Sequence, residues 1–205
     1  PGSVHAQASG VDVVACPVLA GLHNVGIGAQ GVVRRAAGRV LEEAVRKIPT
    51  PLEPASVVLV PGGPLAQYVA LAVTEPPRDL LLTEKSREDR IRGVLAWLDR
   101  LHENLFRAVR DAGCRSLAMP TLCTGGIGMP VHWVATAAIR TAHREFCNNP
   151  ADPVRVRIAC FDPDQIPSFN GIRDTVVDNF FRPQATEEVL VWSLFAPDDS
   201  HDFLV

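Results

Sequence analysis

The stretch Leu117-Ala118-Met119-Pro120-Thr121-Leu122-Cys123-Thr124-Gly125-Gly126-Ile127-Gly128-Met129-Pro130 decides the fold of this chain. Leu117 to Met119 is a short apolar run of strand character. Gly125, Gly126 and Gly128 mark a loop, and an amphipathic helical stretch opens at Pro130. Strand, glycine loop and helix start together make an anion cradle. Glycines let the backbone come close, and the unpaired N–H groups of a helix start attract negative charge. A second loop of the same kind, Asn24-Val25-Gly26-Ile27-Gly28-Ala29-Gln30-Gly31, lies nearer the N-terminus and also opens a helix. Two phosphate-holding loops in one domain point to a diphosphate. Neither is a P-loop, since no Gly-Lys-Ser/Thr follows. Gly26, Gly28 and Gly31 lack the acidic residue at the end of a following parallel strand that a dinucleotide fingerprint needs.

Outward from these loops, strands and helices alternate. Val11 to Ala15 reads as a buried strand. From Ala29 to Ile48, apolar residues at Val33, Ala36, Val40, Ala44 and Ile48 keep helical spacing, with Glu42 set to pair with Arg46. Ser56 to Val60 and Tyr68 to Val73 flank the turn Pro61-Gly62-Gly63-Pro64 and predict an antiparallel pair. Glu75 to Glu88 reads as a surface loop. Ile91, Val94, Leu98, Leu101, Leu105 and Val109 form a helical core stripe. A helix over Val131 to Phe146 follows the second glycine loop. Val154 to Cys160 alternates like an edge strand, and Ser168 is placed to cap a last helix. An apolar run from Val189 to Phe195 stands in the tail. This order predicts a three-layer α/β/α fold with a mixed, mostly parallel central sheet.

With 205 residues, 47% of them hydrophobic, the chain can bury one sizeable core without staples. A formal net charge of −3 disfavours nucleic acid as a partner. The five cysteines are scattered, with no Cys-x-x-Cys pair, so neither zinc nor a disulfide framework is expected. No apolar run has the length of a membrane span, and the expected location is cytoplasmic. Pro1-Gly2-Ser3 reads as a cloning remnant, and Arg is abundant where Lys is scarce.

This order of features resembles the macrodomain family of ADP-ribose-binding modules. Thr124-Gly125-Gly126-Ile127-Gly128-Met129-Pro130 fits the family's Thr-Gly-x-x-Gly-x-Pro loop, and Arg35-Ala36-Ala37-Gly38 is similar to the family's ending for the helix after the first loop. Residues 11–182 would be the macrodomain, 1–10 the remnant with an N-terminal segment, and 183–205 a C-terminal extension or linker to a following domain. Within the family the chain looks most like the viral replicase type, such as that of a rubella-type non-structural polyprotein. The resemblance implies ADP-ribose as the ligand, with no separate cofactor and no metal. Gly26, Ile27 and Gly28 would hold its phosphates with Thr124, Gly125, Gly126, Ile127 and Gly128. Cys160, Phe161 and Asp162 would border the adenosine, Phe161 beside the ring. It implies mono-ADP-ribosylated proteins and neighbouring polyprotein domains as partners, and removal of mono-ADP-ribose as the activity. The alternative is a non-catalytic reader or scaffold.

The family's Asn-Ala-Ala-Asn after the first strand is replaced here by Cys16-Pro17-Val18-Leu19. Asn24 is the amide available to take over in catalysis. Asp162 either selects the adenine amine or caps the turn before Pro163. Cys123 reads as a buried thiol rather than a nucleophile paired with His132. Arg34, Arg35 and Arg39 read as a solvated basic face.

Overall fold

The computed structural model describes residues 2–4, 6–78, 80 and 86–179. The boundary expected near Arg182 and the apolar run Val189 to Phe195 lie outside these residues. Five strands make one sheet: β1 (Val13–Val18), β2 (Val57–Pro61), β3 (Tyr68–Val73), β4 (Ser116–Pro120) and β5 (Arg155–Ala159), in the order β2-β3-β1-β4-β5. β2 and β3 pair antiparallel, as the Pro-Gly-Gly-Pro turn predicts, and the other neighbours pair parallel. The helices are α1 (Gly28–Ala37), α2 (Arg39–Val45), α3 (Arg87–Asp111), α4 (Val131–Asn148) and α5 (Ile166–Asp178).

Alternation along the central strands sorts their side chains into two cores. Val13, Ala15, Ala70, Ala72, Leu117 and Met119 face one core, shared with α3 and α4. Val14, Cys16, Val18, Val69, Leu71 and Val73 face the other, shared with α1 and α2. Val4 and Ala8 of the N-terminal segment are buried in this second core, and the Gly2 N–H donates to the Cys160 carbonyl at 3.0 Å. The result is a three-layer α/β/α domain with a mixed, mostly parallel sheet.

β1 and β4 are neighbours, yet the helices that follow them pack on opposite faces. That makes the gap between their C-terminal ends a topological switch point, where ligands of open α/β sheets sit. The β1–β4 ladder stops at Val14 paired with Ala118, so Pro17, which has no N–H, lies beyond the last paired rung. At the opposite end of the sheet, Asp12 ties the two strands together. Its Oδ2 accepts the Arg115 N–H and the Ser116 hydroxyl, each at 2.8 Å. The Arg115 N–H above all holds this carboxyl below its usual range.

Three expectations are corrected. The helix read from Ala29 to Ile48 is two, because Gly38 takes φ 69°, ψ −150°, a conformation cheap only for glycine. The break turns Val40 off the predicted stripe, leaving it 46% exposed. Glu42 pairs with Arg34 rather than Arg46. Ser168 is no cap: Asp162 caps a 3-10 turn, Pro163–Gln165, that runs directly into α5.

On α3, His102 is buried and its Nδ1 lies 2.7 Å from the Leu98 carbonyl, to which it donates. Burial pushes its pKa down from 6.5 to about 4. The folded protein therefore keeps the ring neutral, while the unfolded chain takes up a proton below pH 6.5. Stability is lost as the pH falls from 6.5 through 4, by about 2 kcal/mol at pH 5. Urea titrations at pH 7 and pH 5 should show this loss in the native protein and not in His102→Leu. Equal losses in the two would overturn it.

Candidate functional site

Because β1, β4 and β5 run parallel, the segments that follow them emerge at one end of the sheet. Loop 1, residues 24–28, follows β1. Loop 2, residues 124–128, follows β4. Cys160, Phe161 and Asp162 follow β5. The structure thus brings every predicted site segment to one rim, in the lateral order loop 1, loop 2, Phe161 set by the strand order.

Loop 2 is shaped by its own backbone. The Gly128 N–H donates to the Gly125 carbonyl at 2.8 Å, and the Met129 N–H to the Cys123 carbonyl at 2.9 Å. Cys123 takes φ 72° and Gly128 φ 72° to close the turn. Thr124 fastens it from the side, its hydroxyl donating to the Thr121 carbonyl at 2.9 Å. Among the described residues, the N–H groups of Gly125, Gly126 and Ile127 have no partner. Gly125 and Gly126 are exposed and avoid positive φ, and a Cβ added to either would meet nothing within 4 Å. The fold itself has no need of glycine there. What their bareness does is let an outside group reach the free N–H groups.

Loop 1 is shaped by α1. The Gly26 N–H donates to Asn24 Oδ1 at 2.9 Å, an Asx turn that occupies this amide oxygen. Ile27 precedes the helix as its cap residue, and no side chain caps α1. The first-turn N–H groups of Gly28 and Ala29, with that of Ile27, have no partner among the described residues. Gly26 at φ 72° and Gly28 at φ 58° are conformations glycine favours.

The residues missed in the sequence stand behind this loop. Gln30, 5% exposed, donates to the His23 carbonyl and accepts the Val25 N–H, both at 3.0 Å. Arg34, expected on a solvated face, is 4% exposed and donates to the Leu22 carbonyl at 2.9 Å. Its guanidinium is held bidentately by Glu42 at 2.7 and 2.6 Å. That contact pulls the Glu42 carboxyl below its usual range and raises the pKa of Arg34. Arg35 reaches back to the Gly26 carbonyl at 2.8 Å. Of the expected basic face, Arg35 and Arg39 are exposed, and Arg39 pairs with Glu43 at 2.5 Å. A periodicity pattern shows which face of a helix is apolar, and says nothing of side chains folded back onto the preceding loop. Gln three residues inside a helix start is the one local signal available, since such a side chain reaches back toward the unpaired end.

The rest of the rim is apolar and open. Phe161 is 80% exposed, Ile27 75% and Val25 50%. Asp162 Oδ1 accepts the Asp164 N–H at 3.0 Å and caps the turn before Pro163. Cys160 is buried, and its thiol is raised by burial. Burial pushes Cys16 up to about 12 and Cys123 well above the ordinary thiol range. Neither supplies a thiolate. No group of three or more His, Cys, Asp or Glu side chains among the described residues is placed to hold a metal ion. No helix among them is long and apolar enough to cross a membrane.

An O-acetyl-ADP-ribose deacetylase of Enterobacter cloacae is 31% identical over 144 residues, 69% of this chain and 74% of that protein. An uncharacterised protein of Aeropyrum pernix is 33% identical over 119 residues, 58% of this chain and 57% of that protein. Among solved structures, the Oceanobacillus iheyensis macrodomain with ADP superposes with a TM-score of 0.72 at 18% identity, covering 87% of this chain and 90% of that one. The Trypanosoma brucei macrodomain in complex with ADP superposes with a TM-score of 0.67 at 19% identity, covering 83% of this chain and 65% of that one. The Macro domain family profile matches residues 18–138, which run from the end of β1 through both glycine loops into α4. The chain belongs to the Macro domain family.

Proposed function

We propose that this protein binds ADP-ribose across the rim and removes mono-ADP-ribose from modified proteins. The diphosphate lies between Gly26, Ile27 and Gly28 of loop 1 and Thr124, Gly125, Gly126, Ile127 and Gly128 of loop 2, taking hydrogen bonds from those of their N–H groups that are open. The N–H groups of Ile27, Gly28, Gly125, Gly126 and Ile127 have no partner among the described residues to give up. The adenine lies against Phe161, with Cys160 and Asp162 bordering the adenosine, and the distal ribose reaches past loop 1. The observation that carries the reading is the bare pair Gly125–Gly126, open on its outer side and required neither by φ nor by packing. A relative named as an O-acetyl-ADP-ribose deacetylase and a structural neighbour that holds ADP support the same ligand chemistry.

Turnover in this reading is substrate-assisted. Fixed backbone dipoles bend the diphosphate, and a water held beside it attacks at the distal ribose or its ester. Asn24 is the side chain that orients this water through its amide nitrogen, its oxygen being held by Gly26. That occupied oxygen, with no amide in Cys16-Pro17-Val18-Leu19, favours a second reading: a reader that binds without cutting. The viral polyprotein setting, with neighbouring domains of the same chain as partners, draws on the Ala, Arg, Val and Pro bias and on ends that read like those of a fragment, whereas the relatives named above come from Enterobacter cloacae and Aeropyrum pernix.

Calorimetric titration with ADP-ribose, followed by incubation with a mono-ADP-ribosylated protein and with O-acetyl-ADP-ribose, separates the readings. Binding with loss of the label supports the hydrolase. Binding with a stable label supports the reader. Absence of binding removes both.

A further inference from the structure

The contacts of α1 with loop 1 fall mostly on carbonyls. Arg34 takes the Leu22 oxygen, Gln30 the His23 oxygen and Arg35 the Gly26 oxygen. In a planar trans peptide the C=O and the next N–H point in opposite directions. Each carbonyl drawn toward α1 therefore turns the following N–H away from it. For the Gly26 carbonyl that N–H belongs to Ile27, one of the unpaired donors of the rim. The Arg35 contact also turns the Gly26 oxygen, which would repel an anion, away from the Ile27 N–H.

Gln30 differs from the two arginines. It is a neutral, buried side chain that takes one donor and one acceptor from peptides on either side of Asn24. Gln30 is the third residue of α1, and its reach extends past the cap residue Ile27 to Val25 and His23. With the Val25 N–H held by Gln30, the chain passes from His23 through Asn24 into the Asx turn that closes on Gly26. Removing Gln30 leaves the part-buried Val25 N–H and His23 carbonyl without their side-chain partner, and the loop relaxes to satisfy them with water.

Strand order assigns this contact a specific consequence. Phe161 stands at the β5 side, loop 2 in the middle and loop 1 at the β1 side. A nucleoside monophosphate seated against Phe161 places its phosphate at loop 2, and a second phosphate is needed to reach loop 1. We infer that Gln30 is a positioning residue that fixes the peptide orientation of loop 1 and so sets the preference of the site for a nucleoside diphosphate over a monophosphate. This deepens the ADP-ribose reading and rests on it.

Gln30→Met keeps side-chain length and burial and loses both hydrogen bonds. With loop 1 no longer held, ADP-ribose affinity should fall about tenfold or more. AMP affinity should stay within about twofold, because AMP does not depend on loop 1. Gln30→Glu supplies the control. A carboxylate accepts the Val25 N–H and repels the His23 carbonyl, while a protonated carboxyl can donate to that carbonyl as the amide does. The affinity of this variant for ADP-ribose, relative to the native protein, should rise as the pH is lowered from about 8 to about 6. Amide hydrogen exchange at Val25 without ligand reads the contact directly and should speed up in Gln30→Met. Native protein that fails to bind ADP-ribose strikes the proposed function, and Val25 exchange still tests the brace. Native protein that binds, beside a folded Gln30→Met with unchanged affinity or with equal losses for AMP and ADP-ribose, overturns the inference. If Gln30→Met does not fold, the pH series of Gln30→Glu decides, a flat series counting against.

Discussion

Gly125→Glu should abolish ADP-ribose binding while leaving the fold as stable as before. The new side chain points into open space, since a Cβ at this position meets nothing within 4 Å. The backbone there does not occupy the left-handed region, so a side chain brings no strain. Gly125 is exposed, and surface substitutions of this kind change stability within about 0.5 kcal/mol. Binding is another matter. A carboxylate at the mouth of loop 2 occupies the place of a phosphate and repels the one that remains. A loss on the order of a hundredfold or more in affinity is expected, equivalent to about 2.7 kcal/mol. Gly28→Glu should also abolish binding, but it is the poorer test, because Gly28 at φ 58° makes any side chain costly. Calorimetry for binding and a urea titration for stability suffice. Native affinity in a folded Gly125→Glu protein would remove loop 2 from the site.

This separation of binding from folding is itself visible in the glycines. Gly26, Gly28, Gly38 and Gly128 carry positive φ, and the chain needs glycine there to turn. Gly125 and Gly126 carry neither a positive φ nor a close neighbour. In the sequence the two kinds are indistinguishable. Only the fold tells a glycine spent on a turn from one spent on an approaching ligand, and both kinds stand side by side in loop 2.

The layers and the edge-like character of β5 were legible because burial writes itself into residue type. β1, β3 and β4 are almost continuously apolar, as strands covered on both faces must be, and the exposed alternation of β5 marks its edge. The hairpin was legible from its turn residues. The break at Gly38 was not legible from spacing, since Val40 and Ala44 keep the helical period across it; only the resemblance to a family helix ending in Arg-Ala-Ala-Gly marked that position. The loops were legible as anion cradles, yet the residues that orient them were not. Arg34 looks like a surface charge until its bidentate partner Glu42 is brought back by the turn at Gly38. That pairing spans two helices, so it lies outside the i,i+4 rule used to assign Glu42 to Arg46.

Gly31→Ala should cost both stability and binding, against the direction helix propensity gives. Gly31 lies inside α1, where Ala is favoured over Gly by roughly 0.5–1 kcal/mol. Its φ is not in the left-handed region, so backbone conformation raises no objection. The objection comes from loop 1. A Cβ at Gly31 would lie 2.3 Å from the Gly26 oxygen and 2.4 Å from its carbonyl carbon. Both are backbone atoms, and the Gly26 carbonyl is pinned from outside by Arg35 at 2.8 Å. Either α1 shifts away from loop 1 or Gly26 moves away from α1. Overpacking of this kind costs about 1–3 kcal/mol, more than the propensity gain. Moving Gly26 displaces the Ile27 and Gly28 donors with it, so ADP-ribose affinity should fall about tenfold or more, since a shift of about 1 Å in a hydrogen-bonding group removes most of its contribution. Gly31→Val should deepen both losses. Urea denaturation and calorimetry on the two variants check this. A Gly31→Ala protein more stable than the native one, with unchanged affinity, would mean that loop 1 does not rest on α1 as described.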